Sequence, residues 1–117
     1  MRSRAAAGVA LIVLLAPAGA GAAVPRWSLG ELMRALDGRP VVVGGRTVRV
    51  QTESTLCGGE GSSVRVNGVR RWSRFACTFT TFGPSGIERD VDFRVAVVDR
   101  RRLRITSAAW VPSVVGP

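Results

Sequence analysis

Between Trp27 and Gly38 the apolar positions fall at Leu29, Leu32, Met33 and Leu36, the i, i+3, i+4, i+7 spacing of one helix face. Ser28 stands where an N-cap belongs, and Glu31 three residues later completes a capping box. Gly38 supplies a left-handed stop and Pro40 prevents continuation. A helix of about ten residues does not hold itself together in water, so it must pack on another element. A sheet face is the natural partner, because past Gly38 the period of the pattern changes to two.

Val41-Val42-Val43 is a short apolar run closed by Gly44-Gly45, and Arg46 to Glu53 then alternates. Val48 and Val50 fall on one side, Arg49, Gln51 and Glu53 on the other, as in a strand with one buried face. The stretch Cys57-Gly58-Gly59-Glu60-Gly61-Ser62-Ser63 is expected to break that strand as a flexible connection. It lacks the Gly-Lys-Ser/Thr ending of a phosphate loop. Ser63–Val66 and Val69–Trp72 flank Asn67-Gly68, a type I′ hairpin signal. Along the outgoing strand Phe75, Cys77 and Phe79 share one parity and should face the core, leaving Trp72, Arg74, Ala76, Thr78 and Thr80 on the other face. Gly83-Pro84-Ser85-Gly86 is a turn. Val91, Phe93, Val95 and Val97 alternate against Asp92, Arg94, Ala96 and Val98. After the charged turn Asp99–Arg102, Leu103 and Ile105 begin a last strand that runs toward Trp110. The fold class is therefore α+β: one short N-terminal helix on a roughly four-stranded antiparallel β-meander, one face covered by the helix and the other polar, as in a half-solvated sheet.

The first residues change the picture. Met1-Arg2-Ser3-Arg4, an apolar stretch from Ala5 to Leu15 and small residues through Ala23 read as a cleaved signal peptide of residues 1–23. The apolar stretch falls far short of the about 20 residues that a spanning helix needs. A single secreted domain over residues 24–112 and a C-terminal tail over 113–117 follow. So small a domain gains from an added constraint. Cys57 and Cys77, the only cysteines, are expected to form one disulfide in an oxidising extracytoplasmic compartment. Closing a loop of about 20 residues is worth roughly 3 kcal/mol in the chain-entropy view.

All seventeen basic residues are arginine, and histidine and lysine are absent. Loss of Arg2 and Arg4 with the signal leaves fifteen arginines against eight acids, a charge of +7. The arginine bias accompanies much Gly, Ala and Val, as a GC-rich coding sequence produces, and is weak support for nucleic-acid binding. Without histidine or lysine the usual general bases are missing, and no Ser-His-Asp or Cys-His site can be assembled. Paired cysteines leave zinc no thiolate, and their spacing is not that of a redox Cys-x-x-Cys. Glu88, Asp90 and Asp92 share a strand face where two carboxylates could serve a glycosidase or a calcium site. With Arg89 and Arg94 beside them and Arg102 or Arg104 across the sheet, the expectation is an ordinary salt-bridged solvent face. The reading is non-enzymatic, with no metal and no cofactor.

Arg70, Arg71, Trp72 and Arg74 form the candidate binding patch, since arginine grips phosphate or carboxylate bidentately and tryptophan adds stacking area. The alternative for the same residues is that Trp72 covers the disulfide while the arginines keep the sheet edge soluble. Two functions follow as expectations. One is a secreted binding domain that recognises an anionic envelope polymer or an acidic surface through this hairpin. The other is a small inhibitor or accessory subunit that binds a secreted protein partner by shape, with Trp72 or Trp110 as anchor. Neither involves nucleic acid or a membrane span after signal removal.

The Cys-Gly-Gly-Glu-Gly…Phe-Ala-Cys pattern resembles small secreted actinobacterial proteins of unknown function. In element order the chain is similar to cystatin-like, PepSY-like and beta-lactamase-inhibitor-like domains. These resemblances imply a compartment and a helix-on-sheet outline, and no functional residue is carried over from them.

Overall fold

The computed structural model describes residues 24–112; the expected signal peptide over 1–23 and the expected tail over 113–117 lie outside them. The helix, α1, runs Leu29–Leu36 with Ser28 as N-cap. The capping box closes in both directions: the Glu31 amide donates to Ser28 Oγ at 3.2 Å and the Ser28 amide to Glu31 Oε1 at 2.8 Å. Gly38, at φ 74°, ends it, and Leu32 and Leu36 are wholly buried.

Six strands follow in two sheets. Pro40–Val43 (β1) and Arg46–Arg49 (β2) form a small antiparallel hairpin. Thr55–Val66 (β3), Val69–Phe82 (β4), Glu88–Val97 (β5) and Leu103–Trp110 (β6) form an antiparallel meander in that order. The α+β class, the antiparallel meander of four strands and the Cys57–Cys77 disulfide are all present. The strand expected from Arg46 to Glu53 differs in two ways: it ends at Arg49 and pairs within the small hairpin. Val50 bonds back to Gly38 and Arg39 around the helix end, and Thr52–Ser54 winds into a 3₁₀ turn. Val48 and Val50 are nonetheless buried, as their parity requires.

One cluster joins Leu32 and Leu36 of α1, Val41, Val43 and Val48 of the small hairpin, and Phe75, Cys77, Phe79, Val91, Phe93, Val95 and Leu103 of the meander. Helix and small hairpin together therefore cover one sheet face. The phenyl rings of Phe79 and Phe93 meet edge to face, centroids 5.6 Å apart, a geometry the ring quadrupoles favour. The Asn67-Gly68 turn has both residues at positive φ, 51° and 80°, between the partners Val66 and Val69, the type I′ conformation that matches strand twist.

The glycine-rich stretch departs from expectation. It does not interrupt the chain but forms the middle of β3, with Cys57 opposite Cys77, Gly58 opposite Ala76 and Gly59 opposite Phe75. The irregularity is confined to a register shift between Glu60 and Ser63, where Gly61 takes φ 78°. Such a bulge adds one residue to one strand and re-aims nearby side chains. No helix of the described residues is long and apolar enough to cross a membrane.

Candidate functional site

The bulge decides where the hairpin residues go. Strict alternation would put Trp72 on the face opposite Phe75. Its ring packs instead against the core margin, with centroids 5.8 Å from Phe75 in an edge contact. Gly59 makes the room, because a Cβ there would lie 2.1 Å from two atoms of the indole. The backbone of Trp72 also exchanges two 2.9 Å hydrogen bonds with Trp27, an isolated bridge that ties the start of the domain to β4. Trp27 itself is buried, its Nε1 donating to the Asp99 carbonyl.

The four residues of the candidate patch are thereby separated. Arg71 turns to the helix start, where Nη1 reaches Glu31 Oε1 at 2.7 Å and the Arg26 carbonyl at 3.1 Å. Arg70 is exposed near the hairpin tip, opposite Arg65, and donates to Ser63 Oγ. Arg74 is exposed too, in a cross-strand row that runs from Glu60 through Arg74 and Ala96 to Arg104. Trp72 is half-buried. The structure keeps Arg70 and Arg74 as accessible cations and gives Arg71 and Trp72 packing roles. Arg65, which the sequence pattern does not single out, and Arg104, expected only as a partner for the strand carboxylates, extend the exposed basic surface. The signal for Arg65 was there: a two-residue turn at Asn67-Gly68 places positions 65 and 70 directly opposite each other.

The electrostatics favour anions. Ion pairs among the described residues join only three arginines to carboxylates: Arg71 to Glu31, Arg94 to Glu60 at 3.0 Å and Arg102 to Asp99 at 2.7 Å. The salt-bridged acidic face expected around Glu88, Asp90 and Asp92 is not formed. Asp92 accepts from the Thr78 hydroxyl and Asp90 from the Thr80 hydroxyl, while Arg94 is drawn to Glu60 and Arg102 to Asp99. Arg89 donates to the Val111 carbonyl and lies over the Trp110 ring, 5.5 Å from its centroid. The reason is register. Thr78 and Thr80 are the direct β4 partners of Asp92 and Asp90, and a hydroxyl one strand away reaches a carboxylate before a longer side chain does.

Two carboxyls are held below their ordinary range. The Ser28 amide does most for Glu31, opposed by partial burial and reinforced by the Ser28 hydroxyl and the charges of Arg71 and Arg34. For Asp99 the Arg101 amide is the main cause, helped by Arg102. Both stay ionised, and neither has the raised affinity for a proton that a general acid needs at neutral pH. Among the described residues no group of three or more metal-ligating side chains converges.

No family model, no curated protein and no solved structure matches the chain.

Proposed function

We propose that the protein is a secreted, non-enzymatic binding domain whose ligand is an anionic envelope polymer or acidic surface, held through the exposed arginines of the β3–β4 hairpin. The observation that carries this reading is the cation surplus: of the fifteen arginines after residue 23, ion pairs among the described residues engage three. Arg65 and Arg70 face each other near the tip, and Arg74 stands four residues further along β4, about 13 Å away at the rise of a strand. Such a spread of charges suits a repeating anionic chain better than a single small ion. Because the side chains are exposed, the attraction is screened over about 10 Å at 0.1 M salt.

The test replaces Arg70 and Arg74 by serine and leaves Arg71, which the fold uses. Retention of the wild-type protein on native envelope should be strong at low salt and disappear at high salt, and the double variant should not be retained at either. Equal retention of the two proteins sinks the proposal. The second reading, recognition of a protein partner by shape, is favoured by one observation: Val64, Val66 and Val69 are exposed together at the hairpin tip. Trp72 and Trp110, both half-buried, are not available as protruding anchors.

A further inference from the structure

Away from the exposed hairpin surface, a cleft of about 290 Å³ opens where the N-terminal segment, the start of α1 and the β5–β6 turn meet, lined by Arg26, Trp27, Glu31, Arg71 and Arg100. A second hollow of about 300 Å³ shares Trp27, Glu31 and Arg100 with it and adds Arg34 and Arg101. Five guanidinium groups thus surround one buried indole and one carboxylate. Glu31 Oε1 already accepts from both Arg71 and the Ser28 amide. None of Arg26, Arg34, Arg100 and Arg101 has a carboxylate partner among the described residues.

A further observation points to a ligand. Arg26 Nε is buried and has no hydrogen-bond partner among the described residues, although a buried donor left unmade is costly and rare. Arg89 Nε is the other such atom, but its guanidinium is already held by Val111 and Trp110. The Arg26 donor has no comparable anchor and lies in a side chain that lines the cleft.

We infer that this cleft is a discrete anion site that takes a phosphate group, free or as a small monoester. The three arginines and one glutamate around it sum to +2, which matches the charge of about −1.5 to −2 on a phosphate monoester at neutral pH. A lone carboxylate would neutralise half of that. Guanidinium forks meet phosphate oxygens two at a time, and an oxygen bonded to Arg26 Nε satisfies the orphan donor. The volume sits at the lower end of small-molecule pockets, about 300–1,000 Å³, so it suits phosphate carrying a small alcohol.

The site is tested on the purified, oxidised, ¹⁵N-labelled protein by following the arginine Nε–Hε resonances. Inorganic phosphate, glycerol phosphate and acetate are titrated separately at constant ionic strength. The expected result is a saturating shift of the Arg26 resonance with the phosphate probes and none with acetate. Whether the ester or the free ion saturates at lower concentration tells which form the site prefers. Arg100→Gln, at an exposed position, should weaken the affinity about tenfold or more, as should Arg26→Gln if that variant folds. The Arg70→Ser/Arg74→Ser protein should titrate like wild type, which separates this site from the hairpin surface. No saturable shift with either phosphate probe, an equal response to acetate, or an unchanged affinity in Arg100→Gln would overturn the inference.

Discussion

Gly59→Ala adds one methyl group in the middle of β3, and the structure says what it meets. The new Cβ would lie 2.1 Å from Cδ2 and Cε2 of Trp72 and 2.2 Å from Nε1. The obstacle is the rigid bicyclic part of the indole, so the ring must leave its seat against Phe75 rather than bend at a flexible end. A buried tryptophan removes about 200 Å² from water. Lifting half of it out costs about 2.5 kcal/mol at 25 cal/mol per Å², within the range seen for overpacking. Alanine also restricts the unfolded chain, which returns about 0.4–1 kcal/mol. The net loss is about 2 kcal/mol, or an unfolding midpoint lower by about 10–15 °C in a domain this small. Thermal unfolding followed by near-ultraviolet circular dichroism checks it. The decisive comparison is the same substitution in a Trp72→Ala background, where the clash is gone and Gly59→Ala should be neutral or slightly stabilising. A cost of about 2 kcal/mol in both backgrounds, or none in either, would refute the account of Gly59 as the seat of Trp72.

Two further expectations concern stability. Reduction of the Cys57–Cys77 bond, 20 residues apart in sequence, should remove roughly 3 kcal/mol and lower the midpoint by well over 10 °C; superimposed melting curves with and without reductant would contradict this. Acidification should also destabilise the protein. The folded Glu31 carboxyl titrates below its ordinary value of 4.5, so its contribution is complete above about that pH and is lost as the pH falls through the folded value. The effect is small, because the carboxylate is partly solvated. Glu31→Gln should flatten the stability curve below pH 4.5 while Asp99, shifted in the same direction, leaves a residual slope; parallel curves for variant and wild type would argue against it.

Local signals were legible in the sequence wherever one residue type answers one local demand. Ser28 with Glu31 fixed the helix start, Asn67-Gly68 the hairpin turn, and the alternation from Val91 to Val97 the centre of the sheet. Gly58, Gly59 and Gly61 misled because their composition is that of a loop. The place of Gly58 and Gly59 in a strand comes from their partners Ala76 and Phe75 on β4, next to the Cys57–Cys77 pair. These supply the pairing that glycines do not favour by themselves, while Gly61 sits in the bulge. Trp72 was misplaced for a related reason. The ladder is irregular between Glu60 and Ser63, opposite Ser73, and across that local bend the period-two pattern of β4 does not carry from Phe75 to Trp72. The candidate site is the least legible part, because four neighbours in sequence do not share one surface: Arg71 and Trp72 pack inward while Arg70 and Arg74 are exposed. Arg71 and Glu31, 40 residues apart, could be joined only once the helix was docked. The cluster around Trp27 draws its arginines from positions 26, 34, 71, 100 and 101, which no local window brings together.

The bridge between Trp27 and Trp72 also orders events as the chain acquires its structure. Each pair of neighbours in the meander is joined by a short turn, so β3 to β6 can assemble from nearby partners with little loop-closure cost. The beginning of the domain has no such neighbour. Trp27 finds both of its backbone partners 45 residues downstream, and its indole partner, the Asp99 carbonyl, 72 residues downstream. The segment around Trp27 is therefore among the last to settle, and α1, which starts directly after it, cannot be seated until the sheet it covers exists. Until then the inner faces of Phe75, Phe79 and Phe93 stand open, and the aggregation risk of this protein is concentrated in that interval.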